Sequence, residues 1–243
     1  MYSKKNKKTK IDMKIKNAII LAAGFGKRLN PLTLTTPKPL LKIGDITVLE
    51  NTINLLKNYG IQEIIINAFY LSEQIVSFLN KLNLEIKITS VLEKKEILGT
   101  GGGIVNASKL IKDDYFFVIN PDTIWSRSYL KELEQLEKIF FEKKLDNALL
   151  VVNKSRSFDT SLKGDFNLDD KGMINFQSPN NFIYTGCQIF QKRVFNSFSP
   201  KPFAINLIWE KLIQDKKIGG VESKEDFLHL TSIKTYKDLI KKY

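Results

Sequence analysis

Residues 19–33 constrain this chain more than any other stretch. Ile19-Ile20-Leu21 runs into Ala22-Ala23-Gly24-Phe25-Gly26-Lys27-Arg28-Leu29-Asn30-Pro31-Leu32-Thr33, and Pro37-Lys38-Pro39-Leu40 closes the segment. A short run of branched apolar residues reads as a parallel strand buried on both faces. The small residues at its end let another group approach the backbone closely. Two fixed cations, Lys27 and Arg28, follow at once. A strand ending in small residues and then positive charge is how α/β sheets hold nucleotide phosphates at their carboxyl edge. The spacing is not a Walker loop, and Leu29 stands where a dinucleotide fingerprint has its third glycine.

Helical and extended patterns alternate through the next hundred residues. Residues 48–59 read as a helix stopped by Gly60, 63–67 as a second buried strand, and Ser72 as the cap of a helix to about residue 82. Residues 84–92 alternate in polarity and read as a third strand, and 115–120 as a fourth. Ser128 opens a charged helix to about Lys144, and 148–152 is a fifth strand. Such alternation builds β-α-β units and a mostly parallel sheet, an α/β fold. Beyond residue 153 hairpins take over: 164–168 and 173–176 pair across a turn at 169–172, and 182–190 is a further strand. Residues 205–216 read as a helix ending before Gly219-Gly220, 227–230 as a short strand, and 235–243 as a last helix. The second half reads as an elaboration of the same sheet, so residues 14–243 are expected to form one domain, divided near residue 152.

The formal charge is +12, which would suit a nucleic-acid partner. Its placement argues otherwise. Residues 1–16 hold seven lysines against Asp12 alone, a net +6 and half of the total. Residues 1–13 read as a disordered, solvated basic arm, not as a specific nucleic-acid or membrane contact. The arm lacks an apolar core or cleavage site, and no stretch approaches the roughly 18 apolar residues of a membrane span. Cys187 is the only cysteine, so no internal disulfide can form. These features make a cytoplasmic protein the expectation.

The string Leu21-Ala22-Ala23-Gly24-x-Gly26-x-Arg28-Leu29-x-Pro31-Leu32-Thr33, followed by Pro37-Lys38-Pro39, resembles the signature of the sugar-1-phosphate nucleotidyltransferases. The resemblance implies a Rossmann-like, mostly parallel sheet flanked by helices, of the nucleotide-diphospho-sugar transferase (GT-A-like) kind, with a sugar-binding second half from about residue 153. It implies a nucleoside triphosphate and a sugar 1-phosphate as partners. Residues Leu21, Ala22, Ala23, Gly24, Phe25, Gly26 and Lys27 would then contact the nucleotide. Arg28 can meet phosphate in a bidentate fork, and Lys38, stiffened by two prolines, supplies a second cation.

Three further segments carry the resemblance. Leu98-Gly99-Thr100-Gly101-Gly102-Gly103 resembles the family's base-contacting L-G-T-G-G block, which points to Thr100, Gly101 and Gly102. Glycines there, each costing about 1 kcal/mol inside a helix, would let a base or phosphate approach helix amides. Glu96 lies just ahead and is expected to line the pocket. Asn120-Pro121-Asp122-Thr123 resembles N-G-D-T, with Asn120 toward the nucleotide and Asp122 as ligand of Mg²⁺, Mn²⁺ being the alternative ion. The family's W-x-D-x-G-T segment supplies a second carboxylate to the metal; here His229 falls on that position.

Within the family the chain looks nearest to the short N-acetylmuramate-1-phosphate uridylyltransferases of cell-wall sugar recycling. Gly101 to Ile104, Gly164-Asp165-Phe166, Tyr184-Thr185-Gly186 and Phe203-x-Ile205 carry that likeness. By the same analogy Asn153, Gly164, Thr185 and Gly186 would face the sugar. Mannose- and heptose-1-phosphate guanylyltransferases share the frame. The catalytic set is thus Arg28, Lys38 and Asp122. The departures at Pro121 and His229 keep open a catalytically weak, nucleotide-sugar-binding regulatory protein. Base, sugar and oligomeric state are left open by the sequence.

Overall fold

The computed structural model describes residues 14–243, so the basic arm read at 1–13 lies outside the described residues. Eleven strands and six helices follow in order: β1 (Asn17–Leu21), β2 (Lys42–Ile43), β3 (Ile46–Thr47), α1 (Val48–Tyr59), β4 (Glu63–Ala68), α2 (Ser72–Lys81), β5 (Lys87–Leu92) and α3 (Gly99–Ser108) in the first part. Then come β6 (Tyr115–Ile119), α4 (Tyr129–Glu142), β7 (Asn147–Asn153), β8 (Asn167–Leu168), β9 (Ile174–Asn175), β10 (Phe182–Gln191), α5 (Asn206–Gln214), β11 (Ile218–Ser223) and α6 (Ile233–Lys242).

Seven strands form one sheet in the order β11-β7-β10-β6-β1-β4-β5. Every neighbouring pair is parallel except those of β10, which runs antiparallel to both β6 and β7. The expected mostly parallel sheet is therefore present, with one reversed strand near its middle. The apolar runs have the composition of strands covered on both faces. Ala18 and Ile20 of β1, Ile64 and Ile66 of β4, and Phe117 and Ile119 of β6 pack with α1, α2 and α4. Their alternates Ile19, Ile65, Phe116 and Val118 pack on the opposite side with α3 and α5. Successive strand side chains point to opposite faces, so one unbroken run fills two cores.

Several expectations are corrected. Ser72 is the first helical residue and not a cap; Leu71 precedes it at a left-handed φ of 49°, with no side-chain cap bond. Ser128 stands at the cap position of α4, as the sequence suggested, and its hydroxyl donates to Glu225. Residues 227–230 contribute only single bridges, Ser157 to Phe227 and Thr123 to His229. The sheet also gains β11, where the sequence suggested only a helix stop. A Cβ at Gly219 would lie 2.7 Å from Leu145, and one at Gly220 2.8 Å from the Leu149 carbonyl. Close approach of neighbours removes the side chains that would have signalled a strand.

Candidate active site

The parallel strands β1, β4 and β6 all end at the same edge, and the chain leaves β1 there through the glycine loop. Ala22 opens the loop, its N–H donating to the Asn67 carbonyl (3.2 Å) and to Asn67 Oδ1 (2.9 Å). A Cβ at Gly24 would meet no atom within 4 Å, so this glycine faces open space. Gly26 has a different reason to be glycine: its φ is +66°, and a Cβ would press on Thr33 and Lys38. The Gly26 carbonyl accepts from Leu29 N (2.8 Å) and from Thr33 Oγ1 (3.0 Å), which turns the loop back on itself. Tyr70 braces it by donating to the Thr33 carbonyl at 2.8 Å. Phe25 rests against Phe69 and Tyr70, with the Lys27 ammonium 5.2 Å above its ring. The turn Lys27–Leu29 buries Leu29 and leaves Lys27 and Arg28 exposed at the rim.

Across the cavity lies the end of β6. Asn120 is anchored by its N–H to the Gly186 carbonyl (2.7 Å). Asp122 pairs with the Lys38 ammonium, and His229 Nε2 stands 3.7 Å from Asp122 Oδ2. His229 is held by the Thr123 bridge, by Nδ1 at 3.3 Å from Thr123 Oγ1, and by stacking on Phe227. Leu230 N donates to the Asp122 carbonyl at 2.8 Å, so the C-terminal segment and the β6 loop are fixed together. Burial opposes charge on Asp122, but His229 and Lys38 more than offset it and hold the carboxyl down at about 2. Burial, reinforced by Lys38 and Arg28, pulls His229 below the ordinary imidazole value.

These groups fit a hard divalent ion. Asp122 Oδ1 is buried without a hydrogen-bond partner, an acceptor waiting for a cation. No set of three or more His, Cys, Asp or Glu side chains converges anywhere among the described residues. An ion on Asp122 and His229 would therefore complete its shell from phosphate and water, the habit of Mg²⁺.

One cavity of about 420 Å³ gathers most of the residues singled out in the sequence: residues 21–28, Lys38, Thr100, Asn120 and Asp122 all line it. Gly101 and Gly102 do not. The segment 201–205 lies across the start of α3, and the Phe203 carbonyl accepts from Gly101 N (2.9 Å) and Gly102 N (3.4 Å). A Cβ at Gly101 would lie 2.2 Å from the Phe203 ring, and one at Gly102 2.0 Å from the Lys201 carbonyl. The helix amides expected to meet a ligand are thus capped by protein. Thr100 Oγ1 accepts from Ile205 N at 2.9 Å. Glu96 is exposed and away from the cavity, while Glu93 turns inward and is buried.

The residues expected to face a sugar are spread out, and none lines this cavity. Asn153 accepts from Ser155 N (3.0 Å), and Thr185 donates from full burial to the Leu150 carbonyl (2.8 Å). Gly186, at φ +94°, sits where the β10 register shifts and packs on Asn120. Gly164, at φ +92°, packs on the Asn180 carbonyl. Sequence reasoning missed Asn67, Ile97 and Thr231, which also line the cavity, as does Gly99 of the glycine block. Asn67 did carry a signal, an amide directly after three consecutive isoleucines of a buried strand.

Comparison with known proteins places this cavity in context. Residues 17–158 match the family described as nucleotidyl transferase. The chain is 24% identical over 221 residues to N-acetylmuramate alpha-1-phosphate uridylyltransferase of Caulobacter vibrioides, covering 88% of this chain and 91% of the relative. It is 33% identical over 187 residues to D-glycero-alpha-D-manno-heptose 1-phosphate guanylyltransferase of Campylobacter jejuni, covering 75% of this chain and 79% of the relative. Some relatives are longer: the chain spans 49% of the bifunctional protein GlmU of Methanococcus maripaludis, at 32% identity. Among solved structures, HddC of Yersinia pseudotuberculosis complexed with GMP-PN superposes with a TM-score of 0.74 at 25% identity, over 94% of this chain and 99% of that one.

Proposed function

The chain belongs to the nucleotidyl transferase family, and from that premise we propose that it joins UTP to N-acetylmuramate 1-phosphate and releases pyrophosphate. Transfer of a nucleotidyl group to a sugar 1-phosphate is the reaction the family match supports. The observation that carries the reading is the convergence of the glycine loop, Arg28, Lys38 and Asp122 on one cavity. The choice of UTP and of this sugar rests on likeness to the Caulobacter relative, which extends over nearly the whole of both chains.

In this reading the triphosphate lies along the loop, where Gly24 leaves room for it. A phosphate oxygen of the sugar attacks the α-phosphorus, the bond to the bridging oxygen breaks, and pyrophosphate departs with its charge. The nucleophile is already an anion, so no general base is required. Arg28 and Lys38 oppose the negative charge that develops on the phosphates. Asp122 and His229 would hold Mg²⁺, which when bound neutralises phosphate charge. Gly24 and Phe25, which line the cavity, would form part of the surface that orients the nucleotide.

A second reading, transfer of GMP to a heptose or mannose 1-phosphate, draws on the Campylobacter relative and on the structure complexed with GMP-PN. Pyrophosphate release, measured with each of the four triphosphates against a panel of sugar 1-phosphates, separates the two. UTP with N-acetylmuramate 1-phosphate is expected to give the highest kcat/KM. A GTP preference would replace the first reading with the second, and no release with any pair would leave a binding protein.

A further inference from the structure

From the cavity wall inward runs a chain of hydrogen bonds that joins two loops from different strands. Ala22 N, in the glycine loop, donates to Asn67 Oδ1 at 2.9 Å. Asn67 Nδ2 donates to Glu93 Oε1 at 2.7 Å, and Glu93 Oε2 accepts from Leu98 N at 2.7 Å. Asn67 is the next-to-last residue of β4, Glu93 follows β5, and Leu98 leads into α3. Asn67 and Glu93 are 1% and 7% exposed, and the two bonds that Asn67 makes are buried. The polarity is fixed at both ends. Backbone N–H groups can only donate, and carboxylate oxygens can only accept. The Asn67 amide can therefore face just one way, oxygen to Ala22 and nitrogen to Glu93.

The helix beside it is shaped to this contact. A Cβ at Gly103 would lie 2.6 Å from Asn67 Nδ2 and 3.2 Å from Glu93 Oε1. The third glycine of the triplet is thus a glycine because the clamp passes over it.

We propose that Asn67 and Glu93 are positioning residues: a buried clamp that holds the glycine loop at one fixed distance from the Leu98-Gly99-Thr100 wall. The two walls line one cavity, and a nucleotide spanning them needs both in register. The clamp touches no reacting atom. It acts through Ala22 and Leu98, and its kinetic consequence rests on the nucleotide-binding reading of this cavity. A sugar 1-phosphate, bound beyond the phosphates, would feel it little.

Reversal of polarity tests this. Glu93→Gln alone sets a donor against either Asn67 Nδ2 or Leu98 N, and Asn67→Asp alone sets oxygen against oxygen. Together, Asn67→Asp with Glu93→Gln restores every bond: the carboxylate at position 67 accepts from Ala22 N and from the amide at position 93, whose oxygen accepts from Leu98 N. Each single variant is expected to raise the KM for the triphosphate by roughly ten- to a hundredfold, the loss of one buried bond. The KM for the sugar 1-phosphate should move less than about twofold. The double variant should recover the triphosphate KM to within about threefold of the parent. Amide hydrogen exchange at Leu98 gives a readout that needs no turnover: faster in each single variant, slow again in the double, whereas Ala22 N keeps its second acceptor, the Asn67 carbonyl.

Single variants that fold and keep the parental triphosphate KM would overturn the clamp. So would a double variant that is unfolded, or that folds yet binds triphosphate as poorly as the singles. If neither single folds, a folded double with the parental KM still supports the proposal. A parent enzyme that prefers GTP changes only the nucleotide used in the titration. A parent with no turnover sinks the functional reading alone, and hydrogen exchange then decides the clamp by itself.

Discussion

Two glycine-rich segments face each other across the cavity, and they are rich in glycine for opposite reasons. At Gly24 a side chain would enter empty space, the space a ligand would fill. At Gly101, Gly102 and Gly103 a side chain would enter Phe203, the Lys201 carbonyl and Asn67, all within 2.6 Å. One wall is bare for the ligand, the other for the protein. A sequence reader sees the same residue in both and assigns the same role. The structure separates them by what a single added carbon would strike.

Single Gly→Ala changes turn that contrast into measurements. The largest effect should come from Gly102→Ala, because its Cβ would sit 2.0 Å from a backbone oxygen that cannot turn aside. A loss of about 3 kcal/mol or more is expected, read as a fall in Tm of about 6 to 12 °C for a chain of this length. An unchanged melt would erase the distinction between the walls. Arg28→Ala tests the opposite wall from the chemical side. This exposed loop residue should lower kcat/KM by roughly a hundredfold or more, with a thermal melt like the parent's. Equal losses of stability and turnover would make the loop wall structural too.

Gly24→Ala should come next: about tenfold higher KM for the triphosphate, the effect of one methyl group in the path of a ligand, with no loss of stability. A normal KM would show that nothing passes close to this backbone. The smallest effect belongs to Gly44, in the turn between β2 and β3, where φ is +63° and a Cβ would touch nothing. Gly44→Ala isolates backbone strain from both packing and ligand approach. It should cost about 1 kcal/mol of stability in denaturant melts and leave turnover alone.

The loop wall was legible in the sequence because strand, small residues and cations lie consecutively, and the resemblance spans the same residues. The helix wall was legible in position but not in cause, since the segment that caps α3 lies a hundred residues further on, at 201–205. Asn67 and Glu93 escaped notice for a similar reason: they are 26 positions apart, near the ends of neighbouring strands, and match no short motif. Glu96 stood nearer the glycine block and drew the attention that Glu93 should have had. The edge strand β11 was hidden by the two glycines that let it pack, and the hairpin β8–β9 was visible from its Asp-Lys-Gly turn.

The pairing of Lys38 with Asp122 has a consequence for how the site receives its substrates. Without ligand, the two opposite charges satisfy one another at low exposure, and the cavity presents little net field from that side. A metal-bound nucleotide carries both signs itself. In the proposed reading its arrival would not strip water from two isolated ions, because the ammonium would pass from carboxylate to phosphate as the carboxylate passes from ammonium to metal. Binding at this corner would then be a partner exchange between ion pairs, with the Lys38–Asp122 contact standing in beforehand for both.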